Sequence, residues 1–361
     1  GHRAMATESV QVAVRVRPFN GREKDRNSTC IIRMRGKTTV IVNPDTEEEK
    51  DFAFDYSYWS HDGFDILDNP PGYNEVSTTN RSAFDAEYAS QKHVYDGLGA
   101  GVLNNALKGF NCCLFAYGQT GAGKSYSFVG YGTNRGIVPQ VCDEIFARKV
   151  DMEASGAVKL HVTFSMMEIY NEKIRDLLNT DPKTNNDLKV RTTAKGTFVD
   201  GTKPKVVGSF EEIDKTMEQG VASRTVAATQ MNATSSRAHT LMTIRVTQMI
   251  TEDGRTKEIS SDMNLIDLAG SERAESTGAT GDRLKEGAAI NKSLSALGNV
   301  ISALADAVGH RASRGWHERP AEWNGAVVGR AAIGRLRPLP PPSPLASPTL
   351  AWRSKPSPLP L

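Results

Sequence analysis

Eight residues, Gly118-Gln119-Thr120-Gly121-Ala122-Gly123-Lys124-Ser125, constrain the fold more than any other part of the chain, because they match the phosphate-binding pattern G-x-x-x-x-G-K-[ST]. Such a loop works between a buried strand and the start of a helix. There the glycines let backbone N–H groups turn inward around a β-phosphate, and the helix dipole adds to the field. The flanks agree: CCLFAY reads as a buried strand ending at Gly118, and a helix is expected to open inside the glycine-rich stretch. In that setting Lys124 reaches the β- and γ-phosphates and Ser125 holds magnesium. A bare glycine turn joining strand to helix is the competing reading, and the context argues against it.

A magnesium nucleotide site also needs a carboxylate at the end of a neighbouring strand. NLIDLAG supplies Asp267, with Gly270 three residues on. Alone, an Asp at a strand end is more often a cap; beside a phosphate loop it becomes a metal ligand. The guanine-reading pattern N-K-x-D is absent, since Asn291-Lys292-Ser293-Leu294 lacks the Asp. ATP is therefore the expected nucleotide, with Mg2+ as its metal.

Elsewhere the pattern alternates. VQVAVRV (10–16), TTVIVNPD, DFAFDYSYW, VKLHVTFSM, HTLMTIRVTQMI and SSDMNLIDL read as strands, the last two around a DGR turn. Residues 91–109 read as a helix, EIYNEKIRDLL turns helical after its strand, and Ile290, Leu294, Leu297, Ile301 and Leu304 mark one face of a last helix. Residues 61–90 carry turn residues and little periodicity and read as a surface insertion. The fold class expected is α/β, a P-loop NTPase with a central, mostly parallel sheet covered by helices on both faces.

Charge divides the chain. From residue 309 eight Arg or Lys stand against two Glu, a tail of +6 on a chain of net +2, and that tail holds ten of the 17 prolines. Its composition builds neither helix nor sheet core. The expected domains are a disordered terminus over 1–9, a globular domain over 10–308 and a basic, Pro-rich, disordered tail over 309–361. No run of about 18 apolar residues spans a bilayer and the first residues hold no secretory signal, so a cytosolic protein without membrane insertion is expected. Cys30, Cys112, Cys113 and Cys142 show no zinc spacing and read as reduced.

FAYGQTGAGKS, NATSSRAH, NLIDLAGSERA and EGAAINKSLSALGNVISALAD resemble the four signature segments of kinesin motors, in kinesin order; RVRPFN and EIYNEKIRDLL are similar too. The resemblance runs from about Val10 to Asp306, broken chiefly by residues 61–90. VAVRVRPFN, FDYSYWSH, YASQ and SERAESTGATGDRLKEGA look most like the kinesin-three, vesicle-transport class. The resemblance implies roles. Arg15, Pro18 and Phe110 would frame the adenine, with Tyr126 adding to it. Asn232 to Arg237 would be switch I, with Ser235 and Ser236 positioning the lytic water and completing the magnesium shell. Asp267 to Glu272 would be switch II: Gly270 would donate its N–H to the γ-phosphate, Glu272 would pair with Arg237, and Glu272 would relay a proton. Two solvated surface charges are the bland alternative for that pair.

The resemblance also implies microtubules as partner, and a microtubule-associated place in the cytoskeleton. Tubulin is acidic, so Arg273, Arg283, Lys285 and Lys292, with the region of Lys189, Arg191 and Lys195, are candidate contacts; scattered surface lysines are the equal alternative. No nucleic-acid partner and no dimerising heptad run are expected. After SALAD a kinesin motor continues into a VPYRDSKLTRLL-like helix, a central strand, a final helix and a neck linker. Here AVGHRASRGWHERPAEWNG follows instead. That departure reads as an altered splice end or read-through, or as a proline-rich docking tail for an SH3-type partner. Three functions stand: an ATP-dependent microtubule motor head, a non-motile head that binds nucleotide or tubulin without stepping, and a GTPase or nucleotide kinase with the same loop.

Overall fold

A computed structural model describes residues 10–68, 74–78, 87–181, 183–185, 187–193, 196–230, 237–272, 282–307 and 326–333. The first half runs β1 (Val10–Val16), α1 (Gly21–Asp25), β2 (Ile32–Arg35), β3 (Thr38–Val42), β4 (Glu49–Ala53), β5 (Tyr56–Trp59), β6 (Phe64–Asp68), β7 (Asn74–Thr78), α2 (Gln91–Val94), a π turn (Tyr95–Gly99), α3 (Ala100–Leu107), β8 (Asn111–Tyr117), α4 (Lys124–Phe128), β9 (Gly130–Tyr131), β10 (Asn134–Arg135) and α5 (Ile137–Glu153). The second runs β11 (Val158–Tyr170), β12 (Lys173–Asp176), β13 (Lys189–Thr193), β14 (Gly196–Asp200), β15 (Lys205–Val207), α6 (Phe210–Gln230), β16 (His239–Glu252), β17 (Arg255–Asp267), α7 (Asp282–Ala307) and β18 (Ala326–Ile333).

Strand β8 shows how the chain builds its layers. Cys112, Leu114 and Ala116 enter a core with α3 and α5, whereas Cys113, Phe115 and Tyr117 face a smaller cluster with Leu268 and α7. A period of two thus gives one strand two buried faces. On α7, Ile290, Leu294, Leu297 and Ile301 pack against that second face, each fully buried side chain contributing about 1.5–3 kcal/mol; the side chain of Leu304 lies outside the described residues. Trp59, Val14 and Val16 close a third cluster against β2.

The α/β class stands, but the sheet is mixed rather than mostly parallel. Its order is β12-β11-β16-β17-β8-β18-β1-β5, with β15 also on β11, and among the described residues only the β17–β8 and β1–β5 strand pairs of this sheet are parallel. Long antiparallel pairing from His239 to Asp267, turned at Asp253 and Gly254 with positive φ, accounts for much of the difference. Two further expectations are corrected. EIYNEKIRDLL is no helix: β11 continues to Tyr170 and returns as β12, because Asn171 and Glu172 take φ of 48° and 63° and close a tight hairpin. The tail does supply sheet, since β18 lies between β1 and β8, antiparallel to both, pairing Val328 with Ala13 and with Ala116. The rest of 309–361, and 1–9, lie outside the described residues. Residues 61–90 contain the β6–β7 hairpin, pairing Phe64 with Thr78.

Candidate nucleotide-binding site

The phosphate loop leaves the C-terminal end of β8, between β17 and α4. Gly121 and Gly123 have φ of 78° and 88°, a left-handed backbone that any side chain would strain, and Gly123 caps the start of α4. Lys124 is buried and donates from Nζ to the carbonyls of Gly118 (2.8 Å) and Gln119 (3.0 Å). Burial pushes its pKa down, and the nearby carboxylates of Asp267 and Glu272 push back. Such a cation gains most when an anion replaces those neutral carbonyls.

Asp267 ends β17 in register with Ala116 of β8, beside the loop. Ser125 Oγ donates to its Oδ2 at 2.6 Å, while its Oδ1 is buried without a hydrogen-bond partner among the described residues. Desolvation raises the Asp267 pKa against the opposing effects of Ser125 and Lys124. An orphaned carboxylate oxygen beside a hydroxyl is a hard-oxygen donor set, which fits Mg2+.

Switch II comes next. Leu268 and Ser271 donate their backbone N–H groups to Ala116 and Gly118, fastening this segment to the loop. At Gly270 a Cβ would meet Thr120 Oγ1 at 2.5 Å and the Glu272 carboxylate at 2.3 Å, so a side chain there would displace the Glu272–Thr120 contact. Glu272 accepts two hydrogen bonds from Thr120, from the backbone N–H (2.9 Å) and from Oγ1 (2.6 Å). Burial opposes its ionisation, yet those bonds hold its carboxyl below the usual range. In this structure Thr120 thus holds the carboxylate that the family resemblance pairs with Arg237.

The base end gathers around Arg15. It is buried, donates to Ser60 Oγ, Gln91 Oε1, Ser127 Oγ and the Ala89 carbonyl, and its guanidinium carbon stands 5.3 Å from the Tyr126 ring centre. Arg15, Pro18, Tyr126 and the loop from Thr120 to Ser125 line one cleft of about 610 Å³, a size suited to a small-molecule site. Phe110 is a correction. It precedes β8 and is 46% exposed, and seven strand residues at about 3.3 Å each set it some 20 Å from the loop.

Asn232, Ser235, Ser236, Arg273 and Lys195 lie outside the described residues, and of Arg283 and Lys285 only the helical backbone is described. Lys292 is exposed on α7. Lys189 and Arg191 stand exposed on β13, beside Asp187 and Asp200 respectively. Sequence reasoning missed Phe64, Tyr88, Tyr131 and Arg224, which also line the cleft. Tyr88 stood inside YASQ, a usable signal; Arg224, 3.8 Å from Glu168 on β11, had no local motif.

The kinesin motor domain family matches residues 15–315. Kinesin-related protein 1 of Dictyostelium discoideum is 48% identical over 314 residues, 82% of this chain and 13% of that protein. Kinesin-like protein KIF1A of Rattus norvegicus is 49% identical over 309 residues, 84% of this chain and 17% of that protein. The chain thus spans under a fifth of the length of these two relatives. Among solved structures, the KIF14 dimer with AMP-PNP on a microtubule matches with TM-score 0.69 and 40% identity, over 82% of this chain and 78% of that one. A fast kinesin matches with TM-score 0.67 and 34% identity, over 85% and 79%. Motifs, fold and relatives agree, and the chain belongs to the kinesin motor domain family, with a likeness to the kinesin-three class that fits KIF1A.

Proposed function

We propose that this chain is a microtubule motor head that binds and hydrolyses Mg-ATP and couples turnover to microtubule binding. The observation that carries the reading is the Lys124–Ser125–Asp267 arrangement: a buried cation on neutral carbonyls, a hydroxyl on a carboxylate, and one carboxylate oxygen unsatisfied. Lys124 exchanges Gly118 and Gln119 for phosphate oxygens. Ser125 and Asp267 hold the metal, with Ser236 as a further expected ligand. The bound Mg2+ supplies charge neutralisation on the phosphates. Gly270 places its N–H beside the γ-phosphate, Ser235 orients the water, and Glu272 leaves Thr120 to meet Arg237 and relay the proton. Arg273, Arg283, Lys285 and Lys292 are the proposed contacts to acidic tubulin, which would place the protein on the microtubule cytoskeleton.

ATP turnover with and without polymerised tubulin, beside a Lys124→Ala control, tests this. Stimulation abolished in the control supports a working head. A second reading, a head that binds nucleotide or tubulin without stepping, is favoured by the family match ending at residue 315, ahead of β18. Retained co-sedimentation with microtubules and unstimulated turnover would select it.

A further inference from the structure

The segment that interrupts the family pattern stands against the nucleotide cleft. We propose that the β6–β7 hairpin, through Phe64, forms an additional wall of the base end of this cleft and sets its affinity for aromatic nucleobases; this rests on the nucleotide reading above.

Phe64 opens β6 and lines the same cleft as Pro18 and Tyr126. Its ring centre lies 5.3 Å from that of Tyr88, the planes inclined at 44°, an arrangement in which aromatic pairs attract and fix each other's orientation. Tyr88 is itself buried, and its backbone bridges to Trp59 at the end of β5. The other strand of the hairpin, β7, touches β10, whose Asn134 also lines the cleft. Phe64 is therefore held from two sides in front of the cavity.

Three polar side chains at this end, Arg15, Ser60 and Gln91, are committed to other partners. Arg15 donates to Ser60 and Gln91, Ser60 to the Ala89 carbonyl, and the Gln91 amide to the carbonyls of Tyr126 and Asn134. A base entering here meets ring faces and edges, and stacking on such faces is tolerant of base identity. On the nucleotide reading the phosphates are held by Lys124 on the loop and Asp267 at the end of β17, not by residues of the hairpin. Phe64 should thus act on the base and leave the phosphate end alone.

Calorimetric titration of the full chain and its Phe64→Ala variant with Mg-ATP and with inorganic tripolyphosphate separates the two ends. Mg-ATP is expected to bind the variant about tenfold more weakly, tripolyphosphate unchanged, and Phe64→Tyr to restore the affinity. Unchanged Mg-ATP binding by Phe64→Ala overturns the proposal. If Phe64→Ala binds neither ligand, Phe64→Leu, which keeps bulk and removes the ring face, decides: weaker Mg-ATP with tripolyphosphate held supports the wall, and both held overturns it. An unsubstituted chain that binds tripolyphosphate but gains nothing from the base overturns the wall while leaving the phosphate site standing. One that binds neither ligand overturns the nucleotide reading and the wall together.

Discussion

Both carboxylate oxygens of Glu272 rest on Thr120, one on its backbone N–H and one on its hydroxyl. A negative charge therefore already occupies two donors of the loop proposed to receive phosphate, and in the proposed cycle it leaves them to meet Arg237. Replacing it separates binding from chemistry. Glu272→Ala should keep or modestly tighten Mg-ADP binding, because the Thr120 donors are released, while ATP turnover falls about a hundredfold or more with the proton relay gone. Calorimetry beside a phosphate-release assay checks this; equal loss of binding and turnover would argue for a merely structural role.

Lys124 is a buried cation whose Nζ rests on two neutral carbonyls. Lys124→Ala should weaken Mg-ATP at least about a hundredfold, since a charge-assisted hydrogen bond to phosphate contributes roughly 1.5–3 kcal/mol and Lys124 is expected to bond both the β- and γ-phosphates. Wild-type affinity in a titration of the variant would remove it from the site.

At Asp267 the pH dependence has a definite sign. Its folded pKa is raised above the ordinary carboxyl value, chiefly by burial. The folded state thus holds the proton more tightly than the unfolded, and stability without nucleotide falls as pH rises through that window. Asp267→Asn removes the buried charge. At pH 7 it should raise the thermal midpoint of the nucleotide-free chain, about 1 kcal/mol amounting to a few degrees, and abolish the further rise that Mg-ADP gives the unsubstituted chain. Melting curves with and without Mg-ADP read both effects.

His239 works in the opposite direction. Its Nδ1 accepts from the Ala269 N–H at 3.1 Å, so its Nε2 donates to Ser293 Oγ at 2.8 Å. Burial, helped by the charge of Lys124, pushes its pKa down to about 4. A depressed histidine pKa means that the unfolded chain takes up the proton first, so this contribution is present at pH 7 and is lost as pH falls from about 6.5 to about 4. Urea midpoints should drop over that range, and less steeply in His239→Asn.

The elements read correctly from sequence were those whose pattern and flanking turns agreed. VQVAVRV alternated up to Arg17-Pro18, CCLFAY was an apolar run stopped at Gly118, and Ile290 to Ile301 stepped along one helical face, and each took the form expected. EIYNEKIRDLL failed because Ile174 and Leu177, three apart, suit a helical face, while the turn was set by Asn171 and Glu172, a pair without the Asn-Gly signal of tight hairpins. Lys124, Ser125 and Asp267 were legible because phosphate and metal chemistry permit few residue types. Phe64 and Arg224 were not, because they reach the cleft through tertiary packing that no local pattern records.

Strand β18 makes the most demanding prediction, since the chain that follows it is rich in proline and its own sequence, AVVGRAAI, has none. It separates β1 from β8, and β8 is the strand that delivers the phosphate loop. Without it both neighbours would present open edges in the middle of a sheet, a state that costs backbone hydrogen bonds and invites aggregation. Val328 pairs with Ala13 on one side and Ala116 on the other, so Val328→Pro removes a ladder donor and restricts φ where neither is tolerated, a cost of about 3 kcal/mol or more. Hydrogen exchange should then quicken along Val12–Val14 and Leu114–Ala116, and Mg-ADP binding should weaken with it. A control substitution at Pro341, far outside the strand, should change neither. Unaltered protection in β1 and β8 would show that the sheet closes without this strand.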